Sequence, residues 1–288
     1  MRTFLGLLFE SLNSPHLVSS IQSFFGLKLI KILDKPTKSD GSTPSTKSNH
    51  YEMPMVDKNK TCLYSRSSEL VYNFFMIMTG LGNEYFYIFF LPMLMWNFND
   101  KLTFLTTLSW AFSMYLGQAS KDVIKIPRPA TPPVIKLEYR FLKEWGFPST
   151  HAMAATSISF TLVSLIFKEY NTPEFYMLRM ASLTLSIILS FFVCLSRLYL
   201  GMHSVLDILV GVVYAFLLSL MFLSYSNLIF DFVTKSLLNG CLAYVAIYSL
   251  GLAYPCSHRN QSFKSTARSD TFLILGKFIS LNRFFLFY

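Results

Sequence analysis

Residues Ser196 to Asp207 read Ser-Arg-Leu-Tyr-Leu-Gly-Met-His-Ser-Val-Leu-Asp, and two long apolar runs flank them. Such a stretch lies at a membrane surface. His203 and Asp207 are four residues apart, a spacing that puts both on one helical face, one turn apart. A carboxylate there can accept the Nδ1 proton of the imidazole and leave Nε2 bare, as a nucleophile or base. Arg197, just upstream, offers a planar fork suited to phosphate oxygens. An interfacial His, a snorkelling Arg and a cap-like Asp would give the same letters, so this stretch does not decide the chemistry alone.

Two further islands sit at the boundaries of apolar runs. Lys121-Asp122-Val123-Ile124-Lys125-Ile126-Pro127-Arg128-Pro129 leaves the run Leu102 to Ser120. It supplies a point charge in Lys121 and a bidentate fork in Arg128, stiffened by prolines on both sides. Ordinary flanking charge is the plainer reading of those cations. Pro148-Ser149-Thr150-His151 opens the run Ser149 to Phe167. Ser149 stands as an N-cap, the free amides of a helix start attract anions, and His151 lies in the first turn, able to give a proton. Counting runs brings all three islands to one membrane face. Together they suit a tetrahedral dianion attacked by one imidazole, with a second imidazole protonating the leaving oxygen. No carboxylate or His/Cys cluster has metal-ligand spacing, so the cations must do a metal's work and no cofactor is expected.

The elements that must position these residues are membrane helices. The 288 residues are 52% hydrophobic and 14% charged, against about 25% charged in soluble domains. The expected fold is all-α: a polytopic helical membrane protein with a six-span core. Its spans are residues 70–99 (crossing once or twice), Leu102 to Ser120, Ser149 to Phe167, Met180 to Leu195, Ile208 to Phe230 and Ser236 to Ser257. Gly80-Leu81-Gly82-Asn83-Glu84 interrupts the first, giving a broken helix or two short elements with Glu84 turned toward protein. Residues 1–68 read as an N-terminal tail: amphipathic interfacial helices up to 34, then a disordered Pro/Ser-rich linker over 35–49. Residues 69–257 form the membrane core, and 258–288 a polar tail with a short apolar end. The net charge of +9 reads as membrane-facing charge and phosphate ligands, not a nucleic-acid footprint. Cys62, Cys194, Cys241 and Cys256 have no metal spacing and imply no disulfide framework.

The three islands resemble the motifs of the type 2 phosphatidic-acid phosphatase superfamily: Lys-x6-Arg-Pro, Pro-Ser-Gly-His and Ser-Arg-x5-His-x3-Asp. The text around them, including Pro148-Ser149-Thr150-His151-Ala152-Met153-Ala154 and Gly82-Asn83-Glu84, is similar to the sphingosine-1-phosphate phosphatase branch over about residues 65–276. The resemblance implies that His203 becomes a phosphohistidine, that Asp207 orients it, and that His151 is general acid and then base. It implies that Lys121, Arg128, Ser149, Thr150 and Arg197 hold the phosphate. Thr150 replaces the superfamily's Gly, and its amide stays available. Members continue with further spans past the position of residue 276, which this sequence does not carry.

The expected activity is therefore metal-independent hydrolysis of a lipid phosphate, sphingosine 1-phosphate or a related sphingoid base phosphate. The partners are that lipid and the surrounding membrane, with no nucleic acid and the oligomeric state left open. A phosphatidate or polyprenyl diphosphate phosphatase, a transporter and an inactive scaffold are the rival readings. Positive-inside counting puts the 121–147 loop in the cytosol, whereas the resemblance implies a lumenal site in the endoplasmic reticulum. The sequons Asn59-Lys60-Thr61 and Asn260-Gln261-Ser262 bear on that choice.

Overall fold

The computed structural model describes residues 4–34, 50–54, 60–97, 99–138, 142 and 144–252. The linker 35–49, the tail beyond 252, both sequon asparagines and the side chain of Glu84 lie outside them.

The N-terminal part is not helical throughout. Helices α1 (Phe4–Leu12) and α2 (Pro15–Phe24) follow the apolar spacing. The chain then turns at Gly26 into strand β1 (Leu27–Asp34). Strands β2 (His50–Pro54) and β3 (Lys60–Arg66) complete an antiparallel sheet in the order β1-β3-β2. Leu27-Lys28-Leu29 alternates apolar and charged residues, which is a strand period. A bulge between Leu29 and Lys31 then shifts the register.

The rest of the described chain is helical. Helix α3 (Glu69–Leu81) and helix α4 (Glu84–Asn97) are two elements, bent by 59° at the Gly82-Asn83 break. Helix α5 (Asp100–Ile124) runs for 25 residues and carries the first island at its C-terminal end. Helix α6 (Thr150–Glu169) starts on the second island. Helix α7 (Tyr176–Tyr199) delivers the third, and helix α8 (Val205–Ser224) continues from it. The expected span Ile208 to Phe230 is broken: α8 ends at Ser224, and helix α9 (Ser226–Lys235) and helix α10 (Leu237–Leu252) follow.

Among the described residues, three helical segments are long and apolar enough to cross a membrane: 150–169, 173–199 and 205–224. The bent α3–α4 pair is a possible fourth. Helix α5 is long enough but not apolar enough, and burial explains why. Thr103, Thr106, Thr107, Ser109, Ser113 and Gln118 are all buried. Thr106 and Thr107 hydroxyls donate to the carbonyls of Leu102 and Thr103 at 2.7 and 2.8 Å. Ser109 pairs with Thr161 of α6 at 2.9 Å. A helix walled by other helices can keep hydroxyls that lipid would exclude. Trp110 of α5 packs with Tyr87 and Leu91 on one side, and its Leu105 with Leu165 and Phe222 on another. The outer face of α7 is apolar and exposed, with Leu185, Ile187 and Phe191 more than half accessible.

Candidate active site

The three islands meet at one small cavity of about 20 Å³. Lys121, Arg128, Thr150, His151, Arg197 and His203 line it, joined by Gly82, Asn83, Met114, Gln118 and Glu144. Ser149 and Asp207 stand behind this wall, both buried.

His203 does not sit on a helix. Ser204 is the N-cap of α8, and its hydroxyl accepts the Asp207 N–H at 3.1 Å while Asp207 Oδ2 accepts the Ser204 N–H at 2.8 Å. This capping box, Ser-x-x-Asp, fixes the N-cap one residue after His203, so the helix starts at Val205. The expected shared helical face is thus replaced by a loop residue beside an N-terminal carboxylate. His203 Nδ1 lies 3.6 Å from Asp207 Oδ2, an electrostatic contact longer than a hydrogen bond. On the other side of the ring, Arg128 Nη1 is 3.3 Å from Nε2. A guanidinium can only donate, so this contact assigns Nε2 as acceptor and the ring proton to Nδ1. Burial, then Arg128, Arg197, Lys121 and His151, push the imidazole well below its usual range, so it is neutral at pH 7.

The loop that carries His203 is held from two sides. Arg128 Nη1 donates to the Met202 carbonyl at 2.7 Å, and its Nε to the Glu144 carbonyl at 3.1 Å. Burial and the neighbouring Arg197 push Arg128 down to about 10, which leaves it charged at neutral pH. Gly201 has φ +68, and a Cβ there would collide with the Ile135 carbonyl, so only glycine fits. Against the same turn, α2 inserts Gln22. Its amide nitrogen donates to the carbonyls of Ile135 (2.6 Å) and Tyr199 (2.8 Å), and its oxygen accepts the Ile135 N–H at 3.0 Å. One buried side chain from the N-terminal part thus ties the 125–149 loop to the end of α7.

The cations are not idle. Lys121 Nζ donates to Thr150 Oγ1 at 3.0 Å and lies 3.5 Å from Glu144 Oε2. Arg197, fully buried, bonds Glu138 through Nη1 at 2.7 Å, while its Nε and Nη2 have no hydrogen-bond partner. Ser149 caps α6 without a side-chain bond, and its N–H is taken by the Asp207 carbonyl at 3.1 Å. Thr150 and His151 occupy the first turn, where amides have no intrahelical acceptor. His151 packs tightly on the α3–α4 break: a Cβ on Gly82 would lie 3.2 Å from its Cδ2. Among the described residues, no three His, Cys, Asp or Glu gather as a metal-ion site.

The structure therefore brings together six of the expected residues at one cavity and puts Ser149 and Asp207 directly behind them. Sequence reasoning missed Glu138, Glu144, Gln118 and Gln22 as parts of the site. The local signal for Asp207's second role was present in Ser204-Val205-Leu206-Asp207.

A cation cluster, a neutral imidazole whose Nε2 faces Arg128 and a second imidazole at a helix start meet at this cavity. Residues 102–230 match the model of the PAP2 superfamily. It is 42% identical to human sphingosine-1-phosphate phosphatase 2 over 205 residues, which cover 71% of this chain and 49% of the human protein. It is 38% identical to rat sphingosine-1-phosphate phosphatase 1 over 208 residues, 72% of this chain and 46% of the rat protein. Lipid phosphate phosphatase delta of Arabidopsis thaliana is 33% identical over 171 residues, 56% and 40% of the two chains. The chain spans about half the length of the first two relatives. A solved transmembrane PAP2-type phosphatidylglycerolphosphate phosphatase from Bacillus subtilis shares 21% identity, with a TM-score of 0.47 over 56% of this chain and 78% of its own.

Proposed function

We propose that this protein hydrolyses sphingoid base 1-phosphates, sphingosine 1-phosphate among them, to the free base and inorganic phosphate. The observation that carries this reading is the meeting of neutral His203 with Lys121, Arg128 and Arg197 in one buried cavity. The names of the relatives at 38–42% identity favour the sphingoid class over phosphatidates and polyprenyl diphosphates.

In this reading Arg128 Nη1 turns from His203 Nε2 to a phosphate oxygen, the freed Nε2 attacks phosphorus, the bond from phosphorus to the lipid oxygen breaks, and His151 delivers a proton to the departing alkoxide. Water then attacks the phosphohistidine while His151 takes its proton. The N–P bond breaks and His203 returns to its starting state. Lys121, Arg128, Arg197 and the amide of Thr150 hold the oxygens as charge builds on them, with Ser149 shaping the helix start behind. Asp207 offsets the positive charge that the imidazole gains. Its Oδ2 stands 3.6 Å from the ring Nδ1.

The reading puts the enzyme in the endoplasmic reticulum membrane with the active site lumenal. Lys121 and Arg128 are buried site cations, so counting them toward the cytosol misreads their role. A glycan on Asn59 lost in Asn59→Gln, with the 35–49 linker protected from protease in sealed microsomes, is the expected topology result. Cleavage of that linker from the cytosolic side counts against it.

The central experiment measures phosphate release from sphingosine 1-phosphate by the full chain in mixed micelles with excess chelator. Turnover is expected in chelator, inhibition by vanadate, and loss by several orders of magnitude in His203→Ala. Retained turnover in that variant, or a strict need for added magnesium, overturns the mechanism.

A further inference from the structure

We infer that Glu144, together with Asn83 and Gln118, recognises the ammonium group that a sphingoid base 1-phosphate carries beside its phosphate. This deepens the proposed function and rests on it. The cavity that holds the phosphate ligands also presents three acceptors without hydrogen-bond partners: Glu144 Oε1, Asn83 Oδ1 and Gln118 Oε1. Phosphate cannot answer them, because a dianion only accepts. Whichever way the two amides are turned, Glu144 remains an acceptor alone when ionised.

Charge makes the same point. The Glu144 side chain is 7% exposed, and its Oε2 lies 3.5 Å from Lys121 Nζ. The cavity has room for about one water, so its lining must part to admit a lipid headgroup, with Glu144 still on the wall. Once phosphate takes Lys121, an ionised Glu144 stands buried beside a dianion, an unfavourable arrangement unless a cation joins it. A sphingoid base phosphate brings that cation on the carbon next to the one that bears the phosphate. Its three N–H bonds match the three acceptors. Phosphatidate presents ester oxygens at that place, and an N-acylated sphingoid phosphate presents a neutral amide. Both leave Glu144 unanswered, so the residue selects by repulsion as well as attraction.

The test compares kcat/KM for sphingosine 1-phosphate, ceramide 1-phosphate and phosphatidate, in wild type and Glu144→Gln, with the full chain in mixed micelles. Removing the charge is expected to reduce the preference for the amine-bearing lipid roughly 10- to 100-fold. Glu144→Asp should restore part of it. Raising the pH through the pKa of the substrate amine should erode the wild-type preference and leave the Gln variant's ratio flat. Equal losses on all three lipids would reduce Glu144 to a counterion of Lys121 and overturn the inference. If Glu144→Gln does not fold, wild type alone decides: no preference for the amine over a deaminated analogue of the same chain length refutes it. In each of those refutations the phosphatase reading survives. Failure to hydrolyse any lipid phosphate removes both.

Discussion

Gln22 is the most exacting point at which to test how the site is held. Gln22→Leu keeps most of the volume and deletes three buried hydrogen bonds, to Ile135 O, Tyr199 O and Ile135 N. Each backbone group left orphaned in the interior costs about 1–3 kcal/mol. Partial relaxation brings the expected loss to about 3–5 kcal/mol. Gln22→Glu is the sharper variant. It keeps the acceptor for Ile135 N–H but turns an oxygen onto two carbonyls at 2.6 and 2.8 Å, so it should be worse than Leu despite being closer in shape. The assay is thermal unfolding of the detergent-solubilised chain, followed by kcat/KM on surviving protein. The expected order of stability is Gln, then Leu, then Glu, with kcat/KM falling at least about tenfold as Gly201 to His203 lose their brace, a loss of about 1.4 kcal/mol. If Leu and Glu both unfold within about 0.5 kcal/mol of wild type, the clasp carries no energy and the reasoning fails.

Asp207→Asn should keep the cap, since an amide oxygen can still accept the Ser204 N–H, yet lower kcat by about 10² or more. An unchanged kcat would remove Asp207 from the chemistry. Gly82→Ala drives a methyl into Val193 and the His151 ring, so kcat should fall several-fold with KM little changed; wild-type kinetics would show that His151 has slack. Because His203 is held below its ordinary value, near 6.5, the folded state resists a proton that the unfolded chain accepts. Its contribution to stability is therefore complete above about pH 6.5 and declines as the pH falls from there toward the depressed folded value. The acid limb of kcat/KM should lie below pH 6.5 and the alkaline limb should follow loss of the general acid's proton, both being constants of a coupled pair. A limb at or above 6.5 on the acid side contradicts the burial.

The side chains that meet at the cavity were legible in the sequence because their motifs sit at run boundaries, where helix ends dictate the geometry. Lys121 ends α5, Thr150 and His151 begin α6, and Arg197 ends α7. The helical character of the chain was legible for the same reason. The acids were not. Glu138 and Glu144 sit in a basic, proline-rich loop that reads as solvated surface, and only tertiary folding turns them onto Arg197 and Lys121. The His203–Asp207 spacing was read as a helical face, although Ser204 gives a competing local signal that ends the helix first. The strand at 27–34 was hidden because the helical period of Val18, Ile21 and Phe24 was carried past Gly26. Gln22, alone among apolar residues on its helix face, had no signal in sequence.

The hydroxyl-rich make-up of α5 has a consequence for biogenesis. A nascent segment with Thr103, Thr106, Thr107, Ser109, Ser113 and Gln118 along it partitions poorly into lipid by itself, yet in the finished protein these residues are buried. The partners that shelter them, Thr161 on α6 and Ser219 on α8, are translated later. Helix α5 is therefore expected to integrate retroactively. A chain arrested after residue 124 should release the segment on alkaline extraction, and one continued through Ser224 should retain it. Lys121, near the end of that helix, then reaches its place at the cavity only after His203 has already emerged from the ribosome.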